Sequence, residues 1–486
     1  MSRRILFLGI LVGVFSSAAQ VEFSTPFSDG MVLQRDTTVP IWGTASAGEK
    51  VTVSFAGQEV SSVADVEGKW RVDLSPLGPS KTGRRLTASG SDSGSVLEDV
   101  LVGEVWIVSG QSNCELPLVG KTPHFSDRQG LLVAGMTYRP DIRFVQASGD
   151  DGNVLPRREM RTRASWKPFV PENLRTAPSF SAIGVYFALD IHAAIDMPIG
   201  LIGIYSGGSN IEAWIPREGF CGVDDAGPGR TCARPPSVLW NALVAPWCPM
   251  ALRGFLWYQG CANSNRKAEA DDWYRRMMHA LYDSWSKAFE NPDLKLYFAE
   301  LAPYVNWWDI QTCQAKFAAE EKNADMVTTC DVGNVHDIHP NEKGTVGKRL
   351  AALALRYDYG FTNLVADAPV PLRCVAKGRL VELDCLHAGS WWIYHDDWGV
   401  DVPFELADAD GRWKPARLVN TVNGCTNAVP WKTKGVVDGG GTLVLSADGV
   451  EDPVKIRYLY QRPWTGFLYS ADSGLPLGPF EAPVEH

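Results

Sequence analysis

No apolar run in this 486-residue chain is long enough to cross a bilayer. The longest near the amino terminus, Ile5 to Phe15, has about eleven residues where a spanning helix needs roughly twenty. Blocks of basic residues are missing too. With 46 Lys and Arg against 56 Asp and Glu, the formal charge is -10, which argues against nucleic acid and anionic membranes as partners. No Asn-x-Ser/Thr acceptor occurs, so nothing marks the chain for N-glycosylation. Internal repeats and low-complexity tracts are absent as well. Close His/Cys/Asp/Glu spacing of the kind metal sites use is also lacking. His336, Asp337 and His339 come nearest, without a clear third and fourth ligand, so neither metal nor cofactor is expected.

What is present begins with Arg3 and Arg4, the apolar run, and the small residues Ser17, Ala18 and Ala19. This reads as a secretory signal peptide over residues 1–19. The expected location is secreted, periplasmic, lumenal or lysosomal, an oxidising setting in which some of the 10 cysteines should pair. A hydrophobic content of 45% with 10% aromatics can fill large cores, and the length allows two to four domains.

Three patterns follow one another along the chain. Residues 20–100 contain short alternating segments, with Val51, Val53 and Phe55 facing one way and Thr52 and Ser54 the other, as in a small β-sandwich. Residues 101–365 alternate apolar strands ("EVWIVS", "IGLIGIYS", "LRGFLWY", "LKLYFAEL", "DMVTTCD") with amphipathic helices over 181–195, 268–290 and from Pro340 onward. Such alternation implies a parallel sheet covered by helices, with ligands at the carboxyl ends of the strands. From 366 to 486 the pattern returns to strands, giving a C-terminal β domain.

Polar segments rich in Gly, Ser, Asn and Gln directly follow three of these strands, at "SGQSN", "SGGSN" and "QGCANSN", and "NVHDIHP" follows a fourth. Together they hold what acyl transfer needs. Ser112 is a candidate nucleophile if a base takes its proton, and histidine suits that task near neutrality. His192 and His279 fall in helices, and His387, His395 and His486 lie in the C-terminal region, leaving His339, with His124 a weaker rival and His336 beside it. Gly207, Gly208 and Asn263 can offer N–H donors to a tetrahedral oxyanion. A turn or capping role is the ordinary reading of any one of these segments taken alone.

"GQSN" at 110–113, "GLIGIYSGGSNIEAW" at 200–214, "GFLWYQGCAN" at 254–263 and "DIHPNEKGTVGKRLA" at 337–351 together resemble the functional blocks of the sialate O-acetylesterase family, within the SGNH hydrolases. "FSDGMVLQRDTTVPIWG" near the amino terminus and "SVLWNALVAPWCPM" at 237–250 extend the resemblance over nearly the whole mature chain. It implies a three-layer α/β/α SGNH-type catalytic domain between two β domains. It also implies a metal-independent serine esterase that releases acetate from sugar hydroxyls. Carried over by position, Ser112 is the nucleophile, His339 the general base, and Gly207, Gly208 and Asn263 the oxyanion hole, while Gln111, Gln259, Trp257 and Glu212 of the same blocks are expected to line the substrate.

The chain departs from that pattern at several points. Cys114 stands where relatives usually have Met, and Cys261-Ala262 where they read Glu-Ser, so a carboxylate is missing beside the site. We expect a Cys114–Cys261 disulfide as the replacement tether. The wider pattern places Asp three residues before the histidine. Here His336 holds that position, so Asp337 is the candidate to orient His339, with a Ser-His dyad as the alternative. Gln311 replaces the usual Arg of an Arg-x-x-Gln pair, which should weaken binding of an acidic sugar. An acetyl-xylan or other polysaccharide esterase shares the same chemistry. A silent glycan-binding protein is the reading from another class.

Overall fold

The computed structural model describes residues 20–147, 153–220, 234–264, 270–304, 307–394, 403–422, 433–437, 441–460 and 466–486. The expected signal peptide over 1–19 and His395 lie outside the described residues. Strand Gly94–Gly110 organises everything around it. Its first six residues are mostly exposed, whereas residues 100–110 are buried throughout. The exposed half pairs antiparallel with Ser80–Ser89 in the amino-terminal β region, and the buried half runs through the middle of a parallel sheet. The expected boundary at 100/101 therefore falls inside one strand, and a single apolar core extends from Val21 to Ala366. Within the amino-terminal region, Lys50–Phe55 buries Val51, Val53 and Phe55 and leaves the alternate residues at least partly exposed.

The main sheet runs in the order Lys167–Phe169, Arg139–Gln146, Ile199–Tyr205, Gly94–Gly110, Gly254–Tyr258, Lys295–Ala299, Ala324–Val327. All these neighbours are parallel except the first pair. After Gly94–Gly110 the chain lays Arg139–Gln146 and Lys167–Phe169 farther out on one side, returns to insert Ile199–Tyr205 against Gly94–Gly110, and then builds outward on the other side. Strand order thus reverses beside that strand, and this is where α/β sheets open a crevice at their carboxyl edge. Arg139–Gln146 and Lys167–Phe169 are strands that sequence pattern alone did not reveal. Of "DMVTTCD", only Asp325, Met326 and Val327 are strand, within Ala324–Val327.

Helices pack on both pleat faces. In register, Trp106 faces Gly254 and Ile107 faces Phe255, so Trp106 and Phe255 point to opposite sides. Phe187 of helix Ala182–Ile195 meets Trp106 at 5.1 Å between ring centroids, and Trp285 of helix Ala270–Ala288 meets Phe255 at 4.7 Å. Phe317 of helix Trp308–Glu320 sits 5.7 Å from Phe298, whose register partner Trp257 shares the Phe255 face. The last helix of this region begins at Lys343 rather than at Pro340 and runs to Tyr357. Beyond it, a seven-stranded and a four-stranded antiparallel sheet enclose a second apolar core that includes Trp391, Leu406, Leu445 and Tyr458.

Candidate active site

Gly110 closes the central strand with φ of 136°, and a Cβ there would lie 2.3 Å from the Tyr258 carbonyl oxygen. Only glycine fits such a position. The chain then turns: Gln111 N–H donates to Tyr258 O (3.0 Å), and one helical turn, Ser112–Glu115, closes with Leu116 N–H on Ser112 O (2.9 Å). Gln111 Oε1 accepts from the backbone N–H groups of Gly260 (3.1 Å) and Ala262 (3.3 Å). The segments after two neighbouring strands are thereby joined, and Ser112 projects from the strand-reversal point.

Across the crevice His339 Nε2 lies 2.8 Å from Ser112 Oγ. Phe125 stands edge-on to the imidazole, with centroids 5.2 Å apart and planes at 90°. Burial, then the nearby Lys343 cation, lower the His339 pKa, with Asp337 opposing them. His124 and His336 are both exposed, and of the three candidate histidines it is His339 that meets Ser112.

Asp337 differs from its expected role. Its Oδ1 accepts the backbone N–H of His339 at 2.9 Å, a turn-type bond that fixes the loop. Among the described residues no bond joins its carboxylate to the imidazole ring.

The oxyanion candidates divide. Gly207 lies beside the nucleophile turn: a Cβ on it would sit 3.7 Å from Ser112 Cβ and 3.1 Å from Glu115 Oε2. Its N–H lies against the Glu115 carboxylate, whose pKa is raised by burial and lowered by this bond and by Arg234. Gly208, at φ of 66°, faces open space. Asn263 is buried, with Oδ1 accepting from Ile211 N (3.0 Å) and Gln259 Nε2 (2.7 Å) and Nδ2 donating to Glu212 Oε2 (2.9 Å). Ser112 N–H opens the helical turn and so has no intrahelical acceptor.

The four residues expected to line the substrate lie inside the protein, each at most 3% exposed. Gln111 ties loops together as described. Gln259 bonds Ser209 O and Asn263, and its Oε1 accepts from Tyr274. Glu212 receives the amides of Asn210 and Asn263. Trp257 packs edge-on against Trp214 at 5.8 Å in the core. The polar atoms of Gln111, Gln259 and Glu212 are needed to satisfy buried loop groups, while Trp257 is core packing. Gln311 and Gln314 likewise hold Leu301, through its carbonyl (2.8 Å) and its N–H (3.1 Å) respectively.

The expected disulfide is not formed: Cys114 and Cys261 are both free, buried thiols. Successive side chains on a helical turn diverge by about 100°, so Cys114 enters the core while Asn113 turns toward Cys261, its Nδ2 3.9 Å from that sulfur. Cys221, Cys232 and Cys425 lie outside the described residues. Among the described residues no three His, Cys, Asp or Glu side chains gather as metal ligands would.

Three groups that sequence reasoning did not single out complete the site: Phe125, Asn113 and Lys343. Asn113 Nδ2 donates to Ile338 O at 2.9 Å, and Lys343 Nζ donates to Asn113 Oδ1 at 2.7 Å. A lysine in the first turn of a helix, where the dipole disfavours cations, was the one available signal for the last.

The chain is similar to known carbohydrate esterases. Residues 159–356 match the family model described as carbohydrate esterase, sialic acid-specific acetylesterase. Human sialate O-acetylesterase is 28% identical over 96% of this chain and 93% of its own length, and the rat enzyme is 26% identical over 99% and 98%. A carbohydrate acetylesterase from Xanthomonas citri superposes with a TM-score of 0.80 at 28% identity, over 95% of this chain and 99% of that one.

Proposed function

We propose that this carboxylic ester hydrolase, similar over nearly its whole length to sialate O-acetylesterases, removes acetyl groups from sugar hydroxyls through an acyl-enzyme on Ser112. The observation that carries the reading is the 2.8 Å contact between Ser112 Oγ and His339 Nε2 at the carboxyl edge of the sheet. His339 takes the hydroxyl proton as Ser112 Oγ bonds to the acetyl carbonyl carbon, and the carbonyl π pair moves onto oxygen. To that oxyanion we assign Ser112 N–H and the second N–H of the Asn263 amide as donors. Gly207 N–H joins them once substrate displaces Glu115. Collapse expels the sugar oxygen, which takes the proton from the imidazolium. Water, deprotonated by His339, then releases acetate and restores Ser112.

Helices on both faces of a parallel sheet support reading this region as the three-layer SGNH arrangement, with β domains before and after it. Secretion after cleavage near Ala19 belongs to the same proposal. So does a sialic acid substrate, drawn from the family match and the curated relatives. Acetate release from O-acetylated sialic acid, compared with acetylated xylan and p-nitrophenyl acetate, tests the assignment. Activity on xylan alone would move the substrate to neutral polysaccharide, and no release from any of them would leave a glycan-binding protein.

A further inference from the structure

We infer that Lys343 is a positioning residue of this site, its buried side chain locking the turn that carries Ser112 to the loop that carries His339. This rests on the Ser112/His339 reading above. Asn113 follows Ser112 and Ile338 precedes His339, so the single amide of Asn113 bridges the immediate neighbours of both reacting groups. An amide can flip and exchange its oxygen for its nitrogen. In its charged form Lys343 removes that freedom, because an ammonium only donates: its 2.7 Å bond requires oxygen on its own side and so aims Nδ2 at Ile338 O.

The placement is costly. Lys343 is 1% exposed, and among the described residues its Nζ makes no ion pair. It opens the helix Lys343–Tyr357, where the dipole opposes a cation. Partial compensation comes from the Tyr258 ring, whose centroid is 5.1 Å from Nζ. The backbone N–H of Lys343 is anchored separately on Asp127 Oδ2 (3.1 Å), whose other oxygen accepts from Tyr186 OH (2.8 Å). A purely structural contact at this spot needs no charge.

Burial pushes the amine down to about 7, against the carboxylates of Asp127 and Asp337, which favour its charged form; His339 also faces it, and the buried thiols of Cys261 and Cys114 beside it are held protonated and neutral. Its charge in turn disfavours protonation of His339. Removing the charge therefore raises the His339 pKa, and the acid limb of the rate profile moves to higher pH.

Lys343→Met in the full chain, assayed with p-nitrophenyl acetate, should lower kcat at least tenfold, about 1.4 kcal/mol, with KM changed less than threefold and the acid limb displaced upward. Asn113→Ala should lower kcat similarly. The double variant should be no worse than the poorer single, since the two act as one unit. A folded Lys343→Met protein with kcat within twofold of the parent and an unmoved limb would overturn the inference. If that variant does not fold, full kcat in Asn113→Ala does the same. Ser112→Ala separates the two readings: if it keeps its rate, the site itself is misassigned, whereas an inactive Ser112→Ala beside an unaffected Lys343→Met rejects only the role of the lysine.

Discussion

Neutral imidazole is the form that can take the Ser112 proton, and the surroundings of His339 favour it. Burial first and the Lys343 charge second hold its pKa below the ordinary 6.5, against Asp337. Because deprotonation then occurs at lower pH, kcat/KM should rise through a limb centred below 6.5. A limb above that value in a pH series would contradict the assignment. Ser112→Ala and His339→Ala should each remove nearly all acetate release, with little further loss on combination. Asp337→Asn should cost less than tenfold, because an Asn oxygen can accept the same backbone N–H of His339. A hundredfold loss measured for this variant would instead give the carboxylate a role on the ring. Ser112 and His339 could be singled out from sequence because each follows a strand within a polar block. Lys343 and Asn113 could not, since lysine ordinarily reads as a solvated residue and the amide takes its role from two bonds across 225 and 230 positions of sequence.

At the level of elements, the site depends on how tightly the turn after Gly94–Gly110 is tied to the turn after Gly254–Tyr258. Gln111→Ala would leave the buried N–H of Gly260 and the part-buried N–H of Ala262 without their acceptor, at about 1 to 3 kcal/mol for a fully buried group. We expect a lower melting temperature and a larger fractional loss of kcat than of binding, because the segment carrying Asn263 loses its fixed distance from Ser112. Unchanged thermal melting would show that water replaces the amide. The central strands were legible because burial on both faces writes a continuous apolar run. Arg139–Gln146 was not, since it opens on Arg-Pro-Asp and keeps exposed residues at both ends, a composition that reads as loop. The last helix begins three residues later than proline placement suggests, with Asp127 accepting the first helical N–H from outside the segment.

Across the whole molecule, the α/β core and the C-terminal sheets meet at a buried acid that belongs to neither catalytic turn. Glu300 follows strand Lys295–Ala299, and its Oε2 accepts from Thr328 Oγ1 (2.8 Å) and Thr329 N (3.2 Å). A Cβ added at Gly478 of the C-terminal region would lie 4.0 Å from the other Glu300 oxygen, and Cys330 Sγ reaches Leu477 O at 3.6 Å. Beside it Arg349 forms a two-pronged pair with Asp331 (2.8 and 2.7 Å), which also accepts from Tyr469 OH (3.3 Å). None of this could be read from sequence, because Glu300 and Arg349 meet their partners 18 to 29 residues away, Cys330 and Asp331 meet theirs 138 to 147 residues away, and no periodicity marks any of them. Burial raises Glu300 from 4.5 to about 7, against the bonds from Thr328 and Thr329. Between those values the folded chain keeps a proton that the unfolded chain releases, so stability declines as pH rises from 4.5 to 7 and the cost stays above 7, on the order of 3 kcal/mol at full effect. Glu300→Gln cannot ionise and keeps an oxygen for Thr328 and Thr329. Its melting temperature should therefore exceed that of the parent at pH 8, with the difference shrinking toward pH 4.5. Should the variant instead melt lower at pH 8, the ionised carboxylate would be holding the seam together, and its bonds to Thr328 and Thr329 would outweigh the cost of burying the charge.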